Sequence, residues 1–319
     1  MTQLALVGDI GGTNARFALV VPGEFELQHI DTLPTADYDS LADALKAYIA
    51  KVGCEMPRDA CLAFAAPVHH DEIKMTNNPW VIRKSEIIRE FDFEIFKAIN
   101  DFTAQALGLP HIGVEDLHEV GDGTSAEGCA RLVIGPGTGL GVAGLAPSQR
   151  YWIPLAGEGG HASFAPTDSF EDKLLVWFRK QYGRVSIERI LCGQGLLDLY
   201  RAHSEFEGTS AVLESPAEVT EAALAGEALP RKVVLCFCHI LGHAVGDIAL
   251  TLGARGGIYL VGGILPRILD LLDESDFREA LADKGRMGEY TSEIASWVVT
   301  AKWTGLLGSA EALYNEEVA

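Results

Sequence analysis

The chain has 319 residues, with 25 lysines and arginines against 45 aspartates and glutamates, a formal net charge of −20. Hydrophobic residues make up 48% and charged residues 22%, the balance of a globular rather than a disordered chain, and the length suits two domains. The deficit of positive charge argues against nucleic acid or an anionic membrane surface as partner, and a phosphorylated ligand would be bound against a repulsive overall field.

Residues 1–7 carry no basic segment and lead straight into glycines, which reads as a first strand rather than a signal peptide. Residues 4–7 predict a buried strand, 8–13 a turn and 15–21 a second strand, together a hairpin with a glycine-rich bend. Residues 40–52 predict a helix with Leu41, Leu45, Tyr48, Ile49 and Val52 on one stripe. A strand over 60–66, a helix over 85–91 and a strand over 95–99 follow, the last delivering Asn100 and Asp101 at its C-terminal end. Strands alternating with helices predict an α/β fold, in which sites gather at strand C-termini.

From residue 130 the theme restarts, with a strand over 130–134, a glycine turn over 135–141 and a strand over 142–146. Each half thus has an apolar strand, a loop of glycines with one threonine and a returning strand, which reads as a structural duplication. Helices are predicted over 170–182, 186–202, 217–225 and 231–252, then a strand over 258–261 entering Gly262 and Gly263. His239, His243 and Asp247 interrupt the apolar run 233–252, which argues against a membrane span. Six cysteines without a CxxC pair read as reduced core thiols in a cytoplasmic setting.

The two glycine turns are the strongest chemical feature. Glycine lets backbone N–H groups converge on an anion, and a threonine hydroxyl adds a neutral donor. Neither turn matches the Walker pattern and neither contains lysine; two ordinary tight hairpins are the competing reading. Gly139, Gly141 and Gly144 fit GxGxxG, but no helix pattern follows, so a dinucleotide site is disfavoured. Asp101 at a strand end could serve as a general base toward a hydroxyl while Asn100 orients a substrate, or the pair could simply cap the next helix. Glu158 and His161, three apart in a flexible turn, could read sugar hydroxyls or form a polar surface loop. Glu188, in the predicted first turn of a helix, reads most simply as complementing the helix dipole. His239, His243 and Asp247 fall on one helix face like a metal stripe, yet without the Glu of HExxH they read as partnered or partly exposed side chains.

Taken in order, GDIGGTNARFAL at 8–19, MTNNPW at 75–80, INDFTAQALGLP at 99–110, GPGTGLGVAGL at 135–145, PLAGEGGHASFAP at 154–166, ERILCGQGLLDLYRA at 188–202, LVGGILPR at 260–267 and TGLLGSA at 304–310 resemble bacterial hexose kinases of the hexokinase/actin-like ATPase superfamily, most closely the proteobacterial-type glucokinases. The resemblance implies a two-domain actin-like ATPase (ribonuclease H-like) α/β fold with a duplicated core and an interdomain cleft that closes on sugar. A small α/β domain would comprise 1–110 plus 301–319 and a large α+β domain 111–300. It implies phosphorylation of D-glucose at the 6-hydroxyl by MgATP, in a cytoplasmic homodimer. Gly8, Asp9, Ile10, Gly11, Gly12 and Thr13 would form the first phosphate loop, with Asp9 near Mg2+ through water. Gly135, Gly137, Thr138 and Gly139 would form the second, and Gly262 and Gly263 the adenosine-side turn. Asp101 matches the catalytic base, and Asn100, Asp101, Glu158, His161 and Glu188 match the sugar ligands. The zinc-binding cysteine cluster of the related ROK kinases is missing, so no zinc site is expected, and Cys192 and Gln194 depart from the commoner Ser and Pro. A kinase for mannose, fructose or an amino sugar, and a non-catalytic sugar sensor, are the alternatives.

Overall fold

The computed structural model describes residues 4–75 and 78–318. By its internal contacts the chain divides into two units, Met1–Val114 with Leu145–Ala156 and Ala301–Ala319, and Glu115–Gly144 with Gly157–Thr300.

In the first unit, β1 (Ala5–Ile10) and β2 (Asn14–Val20) form the expected hairpin, extended by β3 (Gln28–Pro34). β4 (Asp59–Phe64) and β7 (Ile95–Asn100) continue the sheet in parallel with β1, giving the order β3-β2-β1-β4-β7. A short ribbon pairs β5 (Glu72–Lys74) with β6 (Val81–Arg83). Every residue of β4 is buried, as parallel central strands require. Helix α1 (Leu41–Val52) starts where the Ser40 hydroxyl accepts the Asp43 N–H and ends at left-handed Gly53. Its Leu41, Leu45 and Tyr48 pack with Leu6, Phe17 and Leu62 of the sheet. Helix α2 (Lys84–Phe91) precedes β7, and α3 (Asp101–Gly108) follows it.

The second sheet, of order β11-β10-β9-β12-β13-β8, belongs to the second unit apart from residues 145–147 of β10 and 152–156 of β11. Its strands are β8 (Leu117–Glu119), β9 (Arg131–Pro136), β10 (Leu140–Pro147), β11 (Trp152–Gly157), β12 (Ile258–Leu260) and β13 (Ser296–Val299). β12 runs parallel to both β9 and β13, and β8 antiparallel to β13. Outward from its first long strand, β9, this sheet repeats the order of the other, third-second-first-fourth-fifth, with β8 added at the edge. Helices α4 (Ser169–Tyr182), α5 (Gly193–Glu207), α6 (Pro216–Leu224) and α7 (Ala228–Leu252) follow, then the short α8 (Leu269–Glu274), α9 (Phe277–Ala282) and α10 (Gly288–Ser292). By length and composition α7 could cross a membrane, but 67% of its most apolar window is buried inside the protein, as in a core helix.

Helix α11 (Thr304–Tyr314) returns the end of the chain to the first unit, packing on α3, β4 and β1. Small residues make that approach possible. A Cβ on Gly308 would stand 1.7 Å from the Ala104 carbonyl oxygen, and Ser309 donates to the Gly8 carbonyl at 3.0 Å.

Three sequence expectations are corrected here. The turns are tighter than 8–13 and 135–141, because strand pairing continues to Ile10 and Pro136 and leaves only residues 11–13 and 137–139 as bends. The single helix over 186–202 is two pieces, a 3-10 turn at Ile187–Arg189 and then α5, broken where Cys192 becomes extended and its sulfur accepts the Gly195 N–H at 3.3 Å. Residues 145–156, read as part of the larger domain, belong to the first unit because the Trp152 carbonyl accepts from Asn315 at 2.9 Å and Ser148 bonds Glu317 at 3.2 Å. In the MTNNPW segment, Thr76 and Asn77 lie outside the described residues; Asn78 accepts the Trp80 N–H, and the Trp80 indole donates to the Tyr38 carbonyl.

Candidate functional site

The first unit gathers one set of candidate residues around the end of β1. The tight turn places Asp9 directly opposite Arg16 in the β1–β2 register. The Arg16 guanidinium donates to the Asp9 carboxylate at 2.8 Å, and the Asp9 side chain is 13% exposed. Within the turn, Gly11 N–H donates to the Asn14 carbonyl, while Thr35 takes the Gly12 carbonyl with its hydroxyl at 2.8 Å and the Thr13 carbonyl with its amide at 2.9 Å. Gly8 and Ile10, expected in the loop, lie in the strand. A Cβ on Gly8 would strike Leu62 at 2.6 Å, and Ile10 is a core residue.

Asn100 ends β7 and caps α3, accepting the N–H groups of Phe102 and Thr103 at 2.9 and 3.3 Å. The capping alternative therefore holds for Asn100. Asp101 opens α3, and its carboxylate accepts the Phe102 N–H at 2.9 Å. Burial, then the nearby negative charge of Asp9, pushes the Asp101 carboxyl up to about 6. A carboxyl at that value is ionised at neutral pH yet basic enough to take a proton. Arg16 was missed by sequence reasoning; it faces Asp9 because four residues, 11–14, separate the paired Ile10 and Ala15.

The second unit gathers the other set. Its turn closes on itself, Gly137 N–H donating to the Gly139 carbonyl at 2.8 Å. Gly135, expected in the loop, lies in β9, where a Cβ would strike the Val261 backbone at 2.6 Å. Gly262 has φ +94°, and a Cβ there would come within 2.5 Å of the Pro136 carbonyl, so only glycine fits at that position against the turn. Gly263 beside it is open, since a Cβ there would meet nothing within 4 Å, while Thr138 sits at the tip of the bend.

Glu158, His161 and Glu188 meet here. His161 Nε2 lies 3.8 Å from Glu158 Oε2, and its Nδ1 lies 3.7 Å from Glu188 Oε1. Glu158 precedes and His161 ends a 3-10 turn at Gly159–His161, and Ile187 N–H donates to the Ala162 carbonyl at 2.9 Å, drawing Glu188 to the same place. Glu188 is not a helix-dipole residue. Its Oε2 accepts the Leu140 N–H at 2.9 Å, a partner 48 positions away that no local pattern announces. Two carboxylates and an imidazole at these spacings offer acceptors and a donor to a ring of hydroxyls.

The His239, His243 and Asp247 stripe is a polar network. His239 pairs with Asp276 at 2.8 Å, His243 meets the Thr167 hydroxyl at 3.3 Å, and Asp247 pairs with Lys284 at 3.0 Å. Among the described residues no three His, Cys, Asp or Glu side chains gather as a metal cluster. Cys192 caps α5 and Gln194 donates to Asp198 at 3.0 Å, so both support the helix rather than the Glu158–His161–Glu188 cluster.

The glucokinase family model matches residues 6–316. A glucokinase of Chromohalobacter salexigens is 63% identical over 318 residues, covering 100% of both chains. The crystal structure of a glucokinase from an Antarctic psychrotroph superposes with a TM-score of 0.90 at 36% identity, covering 99% of this chain and 100% of that one. A ROK family glucokinase from Streptomyces griseus, in complex with glucose and AMPPNP, shares the fold at a TM-score of 0.66 and 18% identity, covering 97% of this chain and 99% of that one.

Proposed function

The chain belongs to the glucokinase family, and from that membership we infer that it transfers a phosphoryl group from ATP to the 6-hydroxyl of D-glucose, giving glucose 6-phosphate and ADP. The observation that carries this conclusion is the full-length match, 63% identity over 318 residues. The mixed α/β architecture agrees with solved sugar kinases, and the repeated strand order supports reading it as a duplicated actin-like ATPase fold.

Phosphoryl transfer asks a protein mainly for position and charge neutralisation. We assign the base to Asp101, which would take the proton of the 6-hydroxyl as attack begins. Its raised pKa and its hydrogen bond from Phe102, which aims the carboxylate, support the assignment. Asn100, Glu158, His161 and Glu188 are assigned to the sugar hydroxyls. A carboxylate or imidazole covered by the bound sugar but left without its hydroxyl costs about 1–3 kcal/mol, so epimers and deoxy sugars should be poor substrates. The turns at 11–13 and 137–139 are assigned to the nucleotide phosphates, and Gly262 with Gly263 to the adenosine side. Thr35 already occupies the Gly12 and Thr13 carbonyls, which favours the amide edge of that turn as the ligand-facing one.

Mg2+ fits this donor chemistry, because it is commonly held by one or two carboxylates plus substrate phosphates and waters. Asp9 is the residue that would hold it, through water, and the ion would neutralise the β- and γ-phosphates. The reading extends to a cytoplasmic, glycolytic homodimer: the family resemblance supports the dimer, and six free cysteines accord with a reducing compartment. The test is ADP release across a panel of glucose, mannose, fructose and glucosamine. Glucose should give the highest kcat/KM by at least about ten-fold, and a higher value for any other sugar would reassign the substrate.

A further inference from the structure

Glu188 faces two ways. Its Oε1 lies on the side of His161 and Glu158, 3.7 Å from His161 Nδ1, whereas its Oε2 accepts the N–H of Leu140, the residue that follows the second glycine turn. The fit on the turn side is tight, since a Cβ on Gly139 would come within 2.5 Å of that Oε2. Gly139 has no left-handed φ, so what a side chain there would meet is the Glu188 carboxylate itself, the movable end of that side chain. The same short segment holds the other end of the turn, where the Gly193 N–H donates to the Gly137 carbonyl at 2.8 Å. Residues 188–193 therefore grip the turn at both ends.

We propose that Glu188 is a positioning residue for the nucleotide as well as a hexose ligand: one carboxylate oxygen reads a sugar hydroxyl, the other holds the second glycine turn through Leu140, and hexose occupancy is thereby coupled to nucleotide binding. A hydroxyl bound at Oε1 fixes the carboxylate that orders the turn, so the nucleotide meets a turn already ordered and less entropy is lost on binding. By linkage the nucleotide must tighten glucose by the same factor. The proposal rests on the glucokinase reading.

The test is calorimetric binding of a non-hydrolysable ATP analogue with Mg2+, with and without saturating glucose. In the unaltered enzyme glucose should tighten the analogue at least about five-fold. Gly139→Ala, which forces Glu188 off the turn, should reduce that factor below about two-fold. Glu188→Asp, one carbon too short to span both partners, should do the same with charge retained. Gly137→Ala is the counterpart, because its Cβ would meet nothing within 4 Å. It should keep the coupling whatever it does to nucleotide affinity itself. The proposal is overturned if the unaltered enzyme shows no coupling, if Gly139→Ala or Glu188→Asp retains it, or if both glycine variants lose it alike. Failure of the unaltered enzyme to bind glucose at all would overturn the glucokinase reading too, and shows before any variant is made.

Discussion

Asp101 stands where two requirements conflict. Its carboxyl is held up to about 6 by burial and by Asp9, so the fold makes costlier the ionised form that a base must have. In the unfolded chain the group returns to the ordinary aspartate range, and between that range and pH 6 the native state binds more protons. Stability therefore falls as pH rises through this window, and the cost is fully present above pH 6. Asp101→Asn should remove it, raising stability at pH 7.5 by about 1–3 kcal/mol while lowering kcat by about 10²–10⁴-fold. Urea unfolding and turnover on the same preparation check both. A variant that lost activity and stability together would mark Asp101 as structural. For the unaltered enzyme, kcat/KM should fall about ten-fold per unit of pH below 6, because the protonated carboxyl cannot accept the hydroxyl proton. A rate profile flat from pH 7 to pH 5 would exclude Asp101 as the base.

Among the elements, α11 is the one whose packing decides most about Asp101. Gly308 sits where a Cβ would stand 1.7 Å from a backbone oxygen of α3, the helix that Asp101 opens. In an exposed helix Gly→Ala gains about 1 kcal/mol. Here neither backbone can yield, so Gly308→Ala should lose about 1–3 kcal/mol or more, read as a lower Tm, and kcat should fall with it. A raised Tm would show that the two helices do not approach so closely in solution. Composition did not announce this contact, because TGLLGSA reads simply as a helix with small residues and gives no hint of what they meet. Legibility followed the range of each interaction. The hairpins, the delivery of Asn100 and Asp101 at a strand end, and the capping of α3 depend on neighbours in the chain. The Glu188–Leu140 bond spans 48 positions, so sequence reasoning without the family resemblance took Glu188 for a dipole residue. The break at Cys192 hid for a related reason, since a cysteine is an uncommon helix cap.

At the scale of the whole molecule, the duplicated glycine turns were visible as a repeated pattern, and the structure turns that pattern into two sheets of one strand order. Net charge is the other property of the whole chain, and it bears on the nucleotide alone. At −20 the protein repels MgATP, itself an anion, over distances set by the Debye length, whereas glucose is neutral. The groups assigned to the phosphates, the amides of two turns with no lysine in either, act at hydrogen-bond range and are not screened. Raising ionic strength from 0.01 to 0.15 M shortens the screening length from about 30 to about 8 Å. It should therefore lower KM for MgATP, by about two-fold or more, and leave KM for glucose unchanged. Steady-state kinetics at fixed free Mg2+ separate the two substrates. A KM for MgATP that rose with salt would mean that nearby cations such as Arg16 attract the nucleotide more strongly than the chain as a whole repels it, and would move the phosphate site from backbone amides to side-chain charge.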